Sequence, residues 1–443
     1  MPVLSETSGA ILERNRQVIP GGVVSLNRCI DPVRSFVRAK GAYLYDAEGR
    51  RYIDYHAAFS PYLLGHCDAD VDGAVIDAIQ SGQSLMGAGP TTWEGELARL
   101  LVECVPTLDK VQITNTGSEA TFYALRLARA ATGRDGVVVM QGGYNGWHND
   151  VAFNLQDSFA AMREDPESGE LPLRPISSGI PVSVRGDVHA VHYNDLAAVE
   201  EVFKTGDIAA IILEPVLQNI GIVKPLPGYL QGLRELCDRH GVVLVFDEVK
   251  TGFRHALGGY QSLCGVRPDL SSFGKALANG YPLGVIGGKR ELMDYCTHSD
   301  PKKKALIAGT YNAHPVPVAA AIATLKKLRD GADEIYPGLE KLGARMEDGL
   351  RRIFAKHRIT VTVARQGSAF TVYFMDHAPR NWRDIAEHHD FDFDLKYRRA
   401  LIEQGVFHFP GATKQGSLST AHTEADIDET LAITDRVLSE LKA

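Results

Sequence analysis

The stretch VVLVFDEVKTGFR, residues 242–254, sets five consecutive apolar side chains ahead of two acids and a glycine. An apolar run without alternation reads as a strand buried on both faces, and such strands belong to mostly parallel sheets covered by helices. Comparable runs recur at VVVM (137–140), IAAIIL (208–213) and LGVIGG (283–288), with helical patterns between several of them. The pattern predicts a central α/β domain with a mostly parallel sheet. In such a sheet, ligands bind beyond the carboxyl ends of the strands. The residues that follow each run therefore carry the functional reading.

Outside the centre the pattern changes. Residues 1–20 read as an amphipathic helix ended by PGG, and SFVRAKGAYLYDAEGRRYIDY (35–55) alternates around a turn at Asp46-Ala47-Glu48-Gly49. From about residue 326 the sequence loosens into helices and alternating strands, RITVTVA (358–364) and FTVYF (370–374). A last helix, in TEADIDETLAITDRVLSEL (423–441), is opened by Thr423 with Asp426 three residues on, an acidic capping box. The expected organisation is an N-terminal segment 1–70, a large α/β domain 71–325 and a C-terminal α+β part 326–443. The two chain ends together form the smaller domain.

At 443 residues the chain exceeds the roughly 250–300 at which a single core stops growing. With 44% apolar and 23% charged residues it is ordinary globular material, and a net charge of −8 disfavours nucleic acid or an anionic membrane as partner. No apolar run approaches a membrane span, and MPVLSETSGAILERNRQ lacks the basic-then-apolar design of a signal, so a cytoplasmic location is expected. The six cysteines show no CxxC pairing and read as buried reduced thiols. EHHDFDFD (387–394) and Lys302–Lys304 read as solvated loops, and no metal is expected. The nucleotide fingerprints GxGxxG and GxxxxGK[ST] are absent.

Three strand ends carry chemistry. In KVQITNTGSEATFYALRLARAA (110–131), Val111 and Ile113 alternate as a strand, Gly117 permits a tight turn and Ser118 opens a helix with one apolar face. Free N–H groups at a helix start make a phosphate site, although the same residues serve as a plain helix cap. Asp247, at the end of a buried strand, needs a cation or a proton donor, and Arg254 could be that ion-pair partner. Lys275, in SSFGKALANG (271–280), follows the short strand LSSF. Desolvation makes such a lysine a nucleophile suited to Schiff-base chemistry. Taken jointly, a phosphate site, a buried acid and a lysine after strands of one sheet fit pyridoxal 5'-phosphate. The helix end takes the phosphate, Asp247 keeps the pyridine nitrogen protonated and Lys275 holds the aldehyde.

With these residues in place the chain resembles the class III pyridoxal-phosphate aminotransferases of fold type I, and most of all their glutamate-1-semialdehyde 2,1-aminomutase branch. The resemblance is carried in order by PGGVVSLNR, YLYDAEGRRYIDY, NTGSEA, GGYNGW, LEPVLQNIG, FGKALANGYPLG, AGTYNAHP and LSTAHTEADID. It implies a homodimer with each active site at the subunit interface. It further implies that Gly117 and Ser118 cradle the phosphate, Tyr144 stacks on the ring, Asn219 lies near the phenolic oxygen, and Thr310 reaches the phosphate of the neighbouring subunit's cofactor. Lys275, Asp247 and Tyr144 would be catalytic. Arg28 would clamp a substrate carboxylate, with Phe59 and Lys414 also on the substrate side. The chain departs from the pattern at Asn145, where the family's YHG has histidine. It departs again at Asn219, where the branch acting on ornithine and GABA has glutamate. Thr413 and Lys414 replace an aromatic residue and an acid of the aminomutase, and the rebuilt segment 149–186 reads as a mobile lid.

The implied activity is ping-pong transfer of an amino group from a carboxylate-bearing amino acid or amine to a keto acid. The alternative is intramolecular transfer of the aminomutase type. A racemase or decarboxylase shares the same chemistry, and retention of Lys275, Asp247 and Tyr144 together opposes a cofactor-binding protein without turnover.

Overall fold

Residues 36–54 fold as the expected antiparallel meander, β1 (Phe36–Lys40), β2 (Tyr43–Asp46) and β3 (Arg51–Asp54). Asp46 closes its turn, accepting the Arg50 N–H at 2.8 Å and the Tyr52 hydroxyl at 2.7 Å. The structure, a computed structural model, describes residues 6–441. It divides into two compact units. The smaller takes the described residues up to Asp68, Pro337–His377 and those from His389 onward; the larger takes Ala69–Tyr336 and Ala378–His388. Ahead of the meander the first helix runs Ser8–Arg16, capped by Thr7. Residues 1–5 of the longer expected helix lie outside the described residues.

The larger unit is built on seven strands: β4 (Lys110–Thr114), β5 (Gly136–Met140), β6 (Val188–Val191), β7 (Ile208–Leu213), β8 (Val243–Asp247), β9 (Leu270–Gly274) and β10 (Gly284–Gly288). Their order is β4-β10-β9-β8-β7-β5-β6. Contiguous pairs from β9 to β6 are parallel, and β10 runs against both of its neighbours. Every residue of β5, β7, β8, β9 and β10 is buried, as uninterrupted apolar runs require. The helix Gly117–Thr132 buries Ala120, Ala124, Leu125, Leu127 and Ala128 against this sheet.

In the smaller unit β11 (Thr362–Gln366) and β12 (Ala369–Tyr373) form a hairpin, β13 (Val406–Phe407) adds parallel to β3, and β14 (Gly416–Ser417) adds to β12. The pairing of β13 with β3 is what makes one unit of the two chain ends. Thr423 and Asp426 exchange the expected capping bonds at the start of the helix Glu424–Leu441. The expected solvated loop at 387–394 is partly interior. His389 is buried, its Nδ1 accepting the Phe374 N–H at 3.1 Å and its Nε2 lying 3.2 Å from Asp394. All six cysteines are free thiols, but only Cys104 and Cys237 are buried as expected, while Cys29 and Cys67, in the irregular stretches around the meander, are exposed. No described helix is long and apolar enough to cross a membrane.

Candidate active site

Asp247 is the last residue of β8 and pairs in register with Ser272 of β9. Parallel register turns both side chains to one face, and the Ser272 hydroxyl donates to Asp247 Oδ1 at 2.9 Å. The Val249 N–H adds a second bond to Oδ1 at 3.0 Å, and Asn145 Nδ2 donates to Oδ2 at 2.9 Å. The partner weighed from the sequence, Arg254, is not among these donors. It is fully buried, and loss of solvent draws its guanidinium down to about 10. A carboxylate offers about four lone-pair sites. With two bonds on Oδ1 and one on Oδ2, one acceptor position remains, on Oδ2. Burial raises the Asp247 pKa despite these donors. Three donors and the nearby charge of Lys275 do not offset the burial, and a protonated ring nitrogen would supply the donor for the remaining position.

Lys275 follows β9 and opens a 3₁₀ turn, Lys275–Ala278, with a backbone φ of +47°. A left-handed conformation at a non-glycine residue is held only where its surroundings enforce it. Desolvation lowers the amine's pKa, opposed by the nearby charges of Asp247 and Glu214 and assisted by Arg254. A lysine so placed is available as the neutral nucleophile.

The phosphate-site reading changes in detail. The helix begins at Gly117, and its cap is Thr116, which forms a full capping box with Glu119. Ser118 lies inside the first turn rather than opening the helix. Gly117 is needed for close approach: a Cβ there would lie 2.8 Å from both methyl groups of Val249. Gly146, at φ +127°, brings the loop after β5 against Ser118, where an added Cβ would sit 3.0 Å from the serine hydroxyl. The result is a cradle with the first-turn N–H groups at its floor. It fits a phosphate.

Tyr144 is 40% exposed, and its N–H donates to Glu214 Oε1 at 3.1 Å. Glu214, directly after β7, also accepts the Gln218 N–H at 2.9 Å. It is fully buried, and desolvation raises its pKa against the pull of Lys250. Asn219, half-buried, follows Gln218, whose carbonyl takes a bond from Lys250 Nζ at 2.7 Å. Glu248, the other acid of the opening stretch, is spent on structure. It accepts the N–H groups of Tyr260 and Gln261 and the Thr251 hydroxyl.

Gly117, Ser118, Tyr144, Asn219, Asp247 and Lys275 thus share the strand ends of one unit. Thr310 is exposed on the same unit, in a segment tied to Asn115 through Asn312 at 3.0 Å, and lines a hollow of about 410 Å³ with residues 84–89. Arg28, Phe59 and Lys414 belong to the smaller unit. Arg28 is exposed. Phe59 lies in a left-handed run, Ala57–Ser60, against His56 and Phe409. Lys414 lines a cavity of about 20 Å³ with Arg398 and His408. In segment 149–186 the part from 154 to 174 is fastened, and most of 176–186 is exposed. Arg174 pairs with Asp165, Asn154 bridges to Pro172 and Arg174, and Trp382 and Arg383 bond its carbonyls. Asn145, Glu214 and Ser272 were not singled out from the sequence for the contacts they make. Glu214 stands directly after a buried strand, the signal that had marked Asp247.

The class III aminotransferase family matches residues 28–415. A glutamate-1-semialdehyde 2,1-aminomutase of Desulfatibacillum aliphaticivorans is 40% identical over 98% of this chain and 100% of its own. Among solved structures, an omega-transaminase from Sphaerobacter thermophilus superposes with a TM-score of 0.90 at 30% identity, covering 98% of each chain. A glutamate-1-semialdehyde aminomutase from Pseudomonas aeruginosa, in complex with PMP, gives 0.85 at 26% identity over 98% of this chain and 94% of that one.

Proposed function

This chain belongs to the class III aminotransferases, with the fold type I architecture of pyridoxal-phosphate enzymes, and we propose that it carries pyridoxal phosphate on Lys275 and moves an amino group within a single carboxylate-bearing substrate, as a glutamate-1-semialdehyde aminomutase does. The observation that carries the cofactor assignment is Asp247, buried, with one acceptor position left and a pKa raised by burial. The near full-length likeness to aminomutases supports intramolecular transfer over the keto-acid exchange first expected.

When bound, the cofactor draws electrons from the carbon bearing the transferred amine. The chain does the rest. First-turn N–H groups at Gly117 and Ser118 hold the phosphate, Tyr144 covers the ring, and Asn219 serves the phenolic oxygen. Asp247 holds the ring nitrogen's proton. The Lys275 amine anchors the cofactor and then carries a proton to and from the substrate carbon. Arg28 presents a guanidinium fork to the substrate carboxylate, with Phe59 and Lys414 as further substrate-side residues. A second copy of the chain is the proposed partner, with Thr310, exposed at its hollow, serving the neighbouring cofactor's phosphate.

A second reading, exchange with a separate keto acid, is supported by the likeness to the omega-transaminase and by Lys414 standing where the aminomutase pattern has an acid. One experiment separates the two. The loaded enzyme is given glutamate-1-semialdehyde alone, then amino acids with keto acids, and products are identified by mass spectrometry. The isomer with amine and carbonyl exchanged supports the first reading. A released keto product and an aminated acceptor, with no isomer, would replace it by the second.

A further inference from the structure

Asn145 is 3% exposed and is gripped at both ends. Its main-chain carbonyl accepts the Thr121 hydroxyl at 2.6 Å, from the helix whose start is the proposed phosphate cradle. Its amide donates to Asp247 Oδ2 at 2.9 Å, while Ser272 and Val249 hold Oδ1. The asparagine bond falls on the oxygen that keeps the free acceptor position. We propose that Asn145 is a positioning residue that sets the orientation and ionisation of Asp247, leaving Oδ2 with a single acceptor aimed at the cofactor's ring nitrogen. This rests on the pyridoxal-phosphate reading above.

The choice of an amide has a consequence. Asparagine does not titrate, so its N–H donates to the carboxylate at every pH, whereas an imidazole in its place changes charge near neutrality. Donation to the ionised form opposes the burial that raises the Asp247 pKa, and Asn145 is the foremost of the groups that do so. Without it, Asp247 takes up its own proton more readily and holds the ring's proton less well. The link through Thr121 also fixes the acid relative to the phosphate cradle.

The test begins on the cofactor-free chain. The protonated-carboxyl infrared band of Asp247, assigned by difference from Asp247→Asn, is titrated in the native protein, Asn145→Ala and Asn145→His. The midpoint is expected to rise by about one pH unit in Asn145→Ala and to return towards native in Asn145→His. In the loaded enzyme, kcat should fall roughly 10- to 100-fold in Asn145→Ala with KM changed less than about threefold. An unchanged infrared midpoint in Asn145→Ala overturns the proposal, and so does a kcat loss that Asn145→His leaves unrescued. Should Asn145→Ala fail to fold, Asn145→Asp sets a second carboxylate against the first. A raised midpoint then supports the inference and an unchanged one overturns it. If the native chain forms no coloured adduct with pyridoxal phosphate, the functional reading fails, while the infrared titration still decides the grip on Asp247.

Discussion

Tyr144 and Glu214 meet through the main chain, with the Tyr144 N–H donating to one carboxylate oxygen at 3.1 Å while the other oxygen takes the Gln218 N–H at 2.9 Å. One buried acid at the end of β7 therefore holds two loops, the one carrying Tyr144, proposed to cover the cofactor ring, and the one leading to Asn219. Next to it, Asp247 holds the side chain of Asn145. The dipeptide Tyr144-Asn145 is thus secured at successive residues by acids from two adjacent strands. Glu214→Ala strands both N–H groups in the interior. A loss of about 2–4 kcal/mol in unfolding free energy is expected, by denaturant titration, with weaker cofactor retention. A loss below about 0.5 kcal/mol would mean that water replaces the carboxylate.

Lys275→Ala should fold normally and bind pyridoxal phosphate without a covalent bond. Borohydride treatment followed by peptide mass spectrometry should label the native chain at Lys275 and leave the variant unlabelled. Turnover should fall by about 10³-fold or more, since both anchor and proton carrier are lost. Labelling at another lysine together with near-native turnover would reassign the catalytic amine.

Much of this site was legible because burial and strand ends coincide. The runs at 208–213 and 242–246 read as interior strands, and Asp247 ends one such strand while Lys275 directly follows another. The direction of β10 was not legible, because a strand buried on both faces carries the same apolar pattern whichever way it runs. The helix start was displaced to Ser118, because serine is a good cap; Thr116 takes that place through Glu119. Residues 149–186 carry the composition of a loose loop, and composition is blind to the distant Trp382 and Arg383 that fasten part of them. Asn145 meets Asp247 across 102 positions of chain, a pairing no local pattern encodes.

Acid should loosen the smaller unit through two buried histidines. The rings of His408 and His422 both stack on Tyr55, and burial lowers their pKa values to about 3 and about 4. In the unfolded chain each histidine takes a proton near pH 6.5, whereas in the fold each stays neutral until far lower pH. The unfolded state therefore binds more protons below about 6.5. Stability from this source is intact above that pH and falls as pH drops towards 4 and then 3, by up to about 1.4 kcal/mol per pH unit for each group. Denaturant titrations from pH 7 to 4 should show that slope, and His422→Gln should flatten it by about a third, since His255 of the larger unit is likewise lowered to about 3. Parallel slopes for the native chain and the variant would assign the acid response to other groups.

Gly117 and Val249 offer a direct test of the cradle, because their contact joins the phosphate side of the site to the acid side. A Cβ at Gly117 would lie 2.8 Å from both Val249 methyl groups, and the Val249 N–H is one of the donors to Asp247. Gly117→Ala must move either the helix start or Val249, and either motion disturbs a group assigned to the cofactor. Cofactor affinity, followed by absorbance during dilution, is expected to weaken roughly tenfold, equivalent to about 1.4 kcal/mol. Val249→Ala alone keeps its N–H and should change affinity less than about threefold. In the double variant the valine methyl groups that obstruct the added Cβ are gone, so affinity should return to within about threefold of native. Recovery in the double variant would locate the damage in this one contact. A double variant as weak as Gly117→Ala, with native thermal stability, would instead mean that the alanine blocks the phosphate itself, and the cradle would then be tighter than its protein contacts alone indicate.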